Sequence, residues 1–278
     1  MAEETLIAWC DITLNFWMGC QKVSAGCERC YAETLTKNRM GLSVWGPAKT
    51  TRRQAVKNVY ANARKAEKEA AAGKVGVMGT ANPLLAFVGS LMDWAEDHPD
   101  AAAVRPEMWR VIRESPHVHF LMLTKRPERI RSLLPQDWGA GYENVWLGTS
   151  IEDMRVAKRA DHLRQVPARI RFISFEPALG PLHDIDLSGI SWLIQGGESG
   201  PGFRPMPHGW ARSMRDRCRE SGVAYFFKQS SDRFTERGIE LDFIPVTEDG
   251  LLNLETYQSL LSRRPRLVSF THMSNVLG

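Results

Sequence analysis

Six short apolar runs, each followed by polar or glycine residues, constrain the fold of this chain more than any other feature. The first three runs are 86–88, 119–123 and 145–147, and the other three are 170–175, 192–194 and 225–227. Runs of this length that are rich in β-branched and aromatic residues are typical of strands buried on both faces. Segments with helical patterning separate most of them. This alternation predicts a parallel sheet, either doubly wound or rolled into a barrel.

The segments between the runs predict where helices and irregular connections lie. Proline at a first turn and glycine after a last turn are typical helix boundaries, and they help to define five predicted helices: 31–39, 106–114, 127–134, 153–163 and 207–221. An additional strand at 6–10 is expected to open the sheet. The connection 177–189 is broken by proline and glycine, which does not favour a crossover helix. Residues after 231 have weaker patterning and are interpreted as a C-terminal extension, 231–278.

Composition excludes several classes of protein. With 278 residues, 43% hydrophobic and 24% charged, the chain has the composition of a globular protein, not of a collagen-like or disordered one. It has no apolar stretch long enough to span a membrane, and its N-terminus carries acidic residues where a signal peptide needs basic ones. We therefore expect a cytoplasmic protein without a membrane partner. The formal charge of +4 permits an anionic partner without requiring one.

Polar side chains cluster where the predicted strands end. In a parallel α/β barrel the functional site lies at the carboxyl ends of the strands, so a shared site there is the favoured interpretation. The alternative for any single residue is a solvated turn. The residues concerned are Asp93, Thr124, Lys125, Arg126, Ser150, Glu152, Glu176, Glu198, Lys228 and Gln229.

Three cysteines within eleven residues form the most specific motif. Cys20, Cys27 and Cys30 follow the first predicted strand, and Gly19 and Gly26 give the loop backbone freedom. Thiolates at this spacing are typical ligands of zinc or of an iron–sulfur cluster. Three cysteine ligands on a [4Fe–4S] cluster leave one iron open. A [4Fe–4S] cluster held by these three cysteines is the favoured interpretation.

Two alternatives remain for the cysteine motif. A structural zinc would need a fourth ligand, for which Cys10 is the nearby candidate, and the thiols could also be unligated. Cys218 lies in a predicted helix and is expected to be a small core residue.

Several segments in order along the chain carry a resemblance to a known family. They are MGCQKVSAGCERCYAE, FVGSLMDW, LMLTKRPERI, NVWLGTSIED, RFISFEPALGP, WLIQGGESGPGFRPM and YFFKQ. Together they resemble an uncharacterised, phage-associated three-cysteine family that is distantly related to the radical S-adenosylmethionine (SAM) superfamily. The cysteine spacing here is C-x6-C-x2-C, whereas C-x3-C-x2-C is usual in the superfamily, and Arg29 stands where an aromatic residue is usual.

The resemblance implies a fold, a reaction type and a set of cofactors. It implies a partial TIM-like (β/α) barrel of six to seven parallel βα units over residues 1–230. The stretch at about 48–75 is basic and rich in alanine, and this composition itself predicts a helical insertion. The resemblance also implies a [4Fe–4S] cluster on Cys20, Cys27 and Cys30, reductive cleavage of SAM, and an electron donor such as flavodoxin or ferredoxin. Ser150 and Glu152 would serve the ribose of SAM. The Gly196-Gly197-Glu198 turn would serve the same cofactor, or it is merely a tight turn.

The remaining candidates concern the substrate. Lys125, Arg126, Glu176 and Lys228 are candidate catalytic residues, and the alternative for Glu176 is a structural ion pair with one of these cations. The insertion carries basic residues that suit nucleic-acid phosphates or form an ordinary solvated face: Lys49, Arg52, Arg53, Lys57, Arg64, Lys65 and Lys68. The alternative function is a non-catalytic nucleic-acid-binding module with a structural Cys-ligated zinc.

Overall fold

A seven-stranded, all-parallel sheet curls into a half-barrel flanked by helices, so the predicted partial TIM-like barrel is confirmed. The computed structural model describes residues 5, 7–47, 49–54, 58–76, 84–232 and 258. The strands are β1 (Ile12–Leu14), β2 (Trp17–Met18), β3 (Arg53–Gln54), β4 (Leu84–Val88), β5 (Val118–Thr124), β6 (Val145–Ser150), β7 (Ile170–Phe175), β8 (Trp192–Gly196) and β9 (Ala224–Gln229). The main sheet has the order β1-β4-β5-β6-β7-β8-β9, and β2 and β3 form a separate two-stranded ribbon.

Six helices accompany these strands in the described part of the chain. They are α1 (Tyr31–Met40), α2 (Asn58–Ala71), α3 (Pro99–Arg113), α4 (Ile130–Leu133), α5 (Lys158–Arg164) and α6 (His208–Glu220). No helix occupies 177–189, as the prolines and glycines there predict. Because each pair of neighbouring strands runs parallel, the carboxyl ends of all seven strands meet at one edge of the sheet. We call this the carboxyl edge.

The two faces of the sheet have separate apolar cores. The convex face packs against the helices, for example against Met108 and Ile112 of α3. The concave face has its own cluster, in which Trp9 lies 4.7 Å from the ring of Phe87 and 6.3 Å from that of Trp192. Trp9 therefore joins strands β4 and β8 across the inside of the half-barrel. Gly148 also faces this interior, where a Cβ atom would stand 2.2 Å from the ring of Phe172.

Two predicted boundaries are wrong. The segment predicted as the first strand forms a turn in which the Cys10 amide donates to the Ile7 carbonyl at 3.2 Å, and the strand begins only at Ile12; Leu6 lies outside the described residues. The helix predicted to start at Pro106 starts at Pro99, because His98 caps it by accepting from the Asp100 amide. Pro106 lies inside that helix.

The chain divides into two compact units, residues 1–238 and 239–278. The sheet and its helices belong to the first unit. Residues 233–257 and 259–278 lie outside the described part, and the predicted extension from 231 falls largely there. Among the described residues, no helix is long and apolar enough to cross a membrane.

Candidate functional site

The three clustered cysteines lie on one loop that covers part of the carboxyl edge. We call residues 20–30 the cysteine loop. It contains a short 3-10 turn, Ala25–Cys27, and it ends at Cys30, which caps the start of α1. All five cysteines of the chain are free; Cys20, Cys27 and Cys30 are half-buried, whereas Cys10 and Cys218 are buried. Side chains that follow three different strands, β5, β6 and β8, contact the loop. We call these three sets of contacts the anchors.

The first anchor is Arg126, just after β5. Its guanidinium donates to the Cys20 Sγ at 3.5 Å and to the Gln21 carbonyl at 2.6 Å. Asp93 holds the same guanidinium at 2.7 Å and accepts from the Thr124 hydroxyl. Burial alone would lower the pKa of Arg126, but the charge of Asp93 opposes this effect, and the pKa lies above its usual range. Arg126 is therefore a fixed cation beside a sulfur atom.

The second anchor is Glu152, just after β6. Its buried carboxylate accepts from the Ser24 hydroxyl at 3.0 Å and from Arg159 of α5 at 2.9 Å, with the Lys125 ammonium 3.3 Å away. Gly26 lies directly against this carboxylate, and a Cβ atom there would stand 2.5 Å from it. The glycine between the cysteines is thus needed for close approach of the loop to the strand end.

The third anchor is Glu198, just after β8, together with Arg204. Arg204 forms an ion pair with Glu198 and donates to the Ala25 carbonyl at 3.1 Å and to Glu28 at 3.1 Å. Burial would raise the pKa of Glu198, but the hydrogen bonds and charge of Arg204 outweigh this effect and lower it. Glu198 is ionised at neutral pH and keeps Arg204 on the loop backbone.

Two thiols of the cysteine loop, those of Cys20 and Cys30, have raised pKa values and are protonated at neutral pH. Burial raises the pKa of Cys20, and Asp93 raises it further, while Arg126 acts in the opposite direction. Burial also raises the pKa of Cys30. A metal that binds these sulfurs must therefore displace protons.

The donor set of the loop is of the kind that an iron–sulfur cluster takes, since it offers three free cysteines within eleven residues and Arg126 donates to the Cys20 Sγ. Within the described ranges, no three His, Cys, Asp or Glu side chains are arranged to hold a metal ion. A single ion such as zinc needs ligands that converge on one point. In a [4Fe–4S] cluster each thiolate binds a different iron, so the three cysteine sulfurs lie farther apart than they do around a single zinc ion.

Glu176 and Lys228 form an ion pair inside the mouth of the half-barrel. Lys228 is the second-last residue of β9, Glu176 directly follows β7, and the bond from Glu176 to Pro177 is cis. Gly196 lies against the Glu176 carboxylate, where a Cβ atom would be 2.9 Å from an oxygen. The structure therefore contains the ion pair that was the alternative interpretation for Glu176. The pair lies at the carboxyl edge with the other candidate residues.

The other predicted cofactor residues lie at the same edge. Ser150 is buried at the end of β6, in register with Ser174 of β7. Gly197 donates to the Gln229 carbonyl at 2.9 Å, and a Cβ atom at Gly197 would stand 2.2 Å from the Ser231 nitrogen. This glycine therefore has a packing reason as well as a predicted binding role.

The basic insertion does not form one charged surface. Arg52 has a fully buried side chain that pairs with Glu96 at 2.7 Å, so it is unavailable to phosphates. On α2, Lys65 pairs with Glu69 at 3.4 Å. Arg64 and Lys68 are exposed, and Lys57 lies outside the described residues.

One protein family matches most of the chain. The family described as "Protein of unknown function (DUF5131)" matches residues 4–258. The chain belongs to this family. No solved structure matches it.

Curated proteins similar to this DUF5131 chain include cysteine desulfurases, over short segments. The cysteine desulfurase of Cronobacter sakazakii is 49% identical over 41 residues, which are 15% of this chain and 10% of that protein. Those of Salmonella newport and Salmonella heidelberg are each 52% identical over 42 residues, again 15% of this chain and 10% of the protein. The chain thus spans about a tenth of the length of these relatives.

Two residues that hold Glu152 in this DUF5131 chain were not predicted from the sequence. Ser24 and Arg159 both bind Glu152. Arg159 lies seven residues after Glu152, close enough along a loop and helix for its side chain to fold back. Ser24 comes from 128 residues away, and no local pattern signals that contact.

Replacing Ser24 by alanine is expected to loosen the cysteine loop without unfolding the protein. Loss of one hydrogen bond to a charged group costs about 1.5–3 kcal/mol, which favours detachment of the loop by roughly ten-fold or more. We expect Cys27 to react with iodoacetamide faster by about that factor, as measured by peptide mass spectrometry. Ser132→Ala is the control, since its hydroxyl donates only to the Arg129 carbonyl. An unchanged Cys27 rate, or an equal increase at buried Cys218, contradicts the anchor.

Proposed function

We propose that this chain is a radical SAM-type enzyme in which Cys20, Cys27 and Cys30 hold a [4Fe–4S] cluster, and that DUF5131 is a phage-associated, distant branch of that superfamily. One observation carries the proposal. A loop with three free thiols is anchored over the carboxyl edge of a parallel half-barrel by the ends of three different strands. This edge is where enzymes with parallel α/β barrels build their sites.

When bound, the cluster would supply the electron that cleaves SAM reductively. The chain itself would position and shield the reactants. Arg126 holds Cys20 and adds a fixed positive charge near its sulfur. The aromatic and aliphatic interior beneath the edge, with Phe87, Leu123 and Phe226, would exclude water.

The ion pair of Glu176 and Lys228 would act on the substrate or the cofactor. Lys228 Nζ donates to Glu176 Oε1 at the top of the concave interior. A polar group that enters the mouth can accept from Nζ or donate to the carboxylate, and a proton can move between these atoms. Ser150 would offer a hydroxyl to the ribose of SAM, and the Gly196-Gly197 turn would offer backbone groups. Glu152 and Glu198 would keep the loop in place rather than bind the cofactor directly.

The proposal includes a cytoplasmic protein that receives electrons from a donor such as flavodoxin or ferredoxin. Without a partner protein, dithionite can supply these electrons. Full-length protein reconstituted anaerobically with iron and sulfide is expected to hold about four irons per chain. It should show broad visible absorbance that dithionite bleaches.

The decisive measurement is formation of 5′-deoxyadenosine from SAM with dithionite, followed by liquid chromatography and mass spectrometry. We expect the reconstituted protein to form it and the protein without iron to form none. A colourless protein with one bound zinc would overturn the proposal in favour of a non-catalytic, zinc-containing nucleic-acid-binding module.

A further inference from the structure

Helix α6 carries a line of basic side chains along its exposed side. His208, Arg212, Arg215 and Arg219 are separated by four, three and four residues, which places them on one face of a helix. All four are exposed. We call these four residues the basic stripe. It extends over twelve residues, and the eleven rises between its ends make it about 16 Å long.

The stripe keeps a positive charge after its own ion pairs are counted. Asp216 contacts Arg215 at 2.9 Å and Arg219 at 3.9 Å, so one carboxylate is shared by two guanidinium groups. Arg212 has no carboxylate partner within the described ranges. Glu220, at the end of the helix, is the other acid of α6. The four arginines and two acids of α6 leave a net charge of +2, in contrast to α2, where Lys65 and Lys74 share Glu69.

The remaining sides of α6 show which kind of anionic partner the stripe suits. Met214 and Cys218 face the sheet and are buried. The exposed positions of α6 hold histidine, glycine, arginine, serine and glutamate, with no large apolar side chain among them. A helix that lies on a membrane needs an exposed apolar face. A polyanion in water needs only the charges, and guanidinium groups bind phosphates through charge-assisted, frequently bidentate hydrogen bonds.

The stripe begins at the carboxyl edge. The His208 ring lies 3.1 Å from the Ser230 hydroxyl, two residues after Lys228 at the end of β9. Arg29 and Arg204 in the mouth are paired with Glu198 and Glu28, so the positive charge that is free to meet phosphates lies on the stripe. A chain of phosphates that follows the stripe therefore arrives where the cysteine loop and the Glu176–Lys228 pair lie.

We propose that the basic stripe binds the phosphates of a single nucleic-acid strand and leads that strand to the carboxyl edge. A single line of arginines matches one backbone, and its length corresponds to several nucleotides of a stacked strand, each of which rises roughly 3.4 Å along the axis. This inference deepens the proposed function by naming its substrate class as nucleic acid. Binding itself is measured without a cluster, so the two proposals can fail separately.

The test is fluorescence anisotropy of the full-length protein with labelled single-stranded DNA and RNA oligonucleotides at 50–400 mM salt. The stripe variant replaces Arg212, Arg215 and Arg219 by alanine. Each lost phosphate contact lowers the slope of log affinity against log salt by about 0.7, so the slope should fall by about 2. At low salt the affinity should fall on the order of 100-fold. The control variant replaces Arg64, Lys65 and Lys68 of α2 by alanine, which removes the same charge.

The outcomes separate the possibilities. Loss of binding in the stripe variant, with the control variant close to the unmodified protein, supports the inference. Equal loss in both variants shows attraction by net charge alone and overturns it, as does the absence of binding to either oligonucleotide at low salt. Stronger binding of the stripe to anionic phosphatidylserine vesicles than to oligonucleotides also overturns it. Iron content of the stripe variant, which should be unchanged, reports on the proposed cluster independently.

Discussion

Alanine at Cys20, Cys27 or Cys30 is expected to reduce the iron of reconstituted protein from about four per chain to less than one. Each thiolate would hold one corner of the cluster, and two remaining thiolates do not retain it. Formation of 5′-deoxyadenosine should become undetectable in all three variants. Iron analysis, the visible spectrum before and after dithionite, and the nucleoside assay measure these effects.

Two other cysteines provide matched controls. Cys218 is buried in α6, and Cys10 is buried in the concave core with a pKa raised to about 12 by burial. Cys218→Ala should keep full iron content and activity. Cys10→Ser should keep the iron as well. Loss of bound zinc in this variant would instead support a zinc site with Cys10 as its fourth ligand. Full iron and SAM cleavage in Cys20→Ala would show that the ligand assignment is wrong.

Replacing Glu96 by alanine is expected to lower the free energy of unfolding by about 3–5 kcal/mol, because it leaves a buried charge without its partner. The Arg52 side chain is fully buried and forms two hydrogen bonds with the Glu96 carboxylate, at 2.7 and 3.0 Å. The same guanidinium donates to the carbonyls of Val44, Gly46 and Thr50. It therefore joins the segment after α1 to the segment after β4.

Urea unfolding followed by circular dichroism measures this effect, with a lower midpoint and an unchanged slope expected. Glu107→Ala is the control, since Glu107 pairs with Arg110 on the exposed side of α3 and surface pairs contribute little. A Glu96→Ala midpoint as close to the unmodified protein as that of the control would refute a structural role for the buried pair. Arg52→Ala should be destabilised to a similar extent.

Six of the seven strands of the main sheet, β4 to β9, could be predicted from the sequence because each leaves a local signal. The run at 170–175 coincides with β7, since a strand buried on both faces is apolar at nearly every position. The segment before β1 could not be assigned in this way. Its apolar residues, including Trp9, fill the concave core from a turn, and an apolar pattern does not distinguish a strand from a turn that fills a core.

The candidate site was predicted in outline, because strand ends of a parallel sheet must meet at one edge. The function of each residue there depends on partners that are distant in sequence. Glu152 has the position expected of a ribose ligand, but Ser24 and Arg159 occupy its oxygens. Arg52 belongs to a basic segment, but a carboxylate 44 residues away holds it in the core. Such pairings follow from tertiary packing and not from local patterns.

The third anchor has a consequence for synthesis of the protein. Arg204 and the Ala25 carbonyl that it binds are 179 residues apart. During translation, the cysteine loop leaves the ribosome long before Arg204 exists, so this third contact forms only after most of the barrel has emerged. Under the proposed function, iron delivery and oxidation would compete for the three cysteines while the loop lacks this contact.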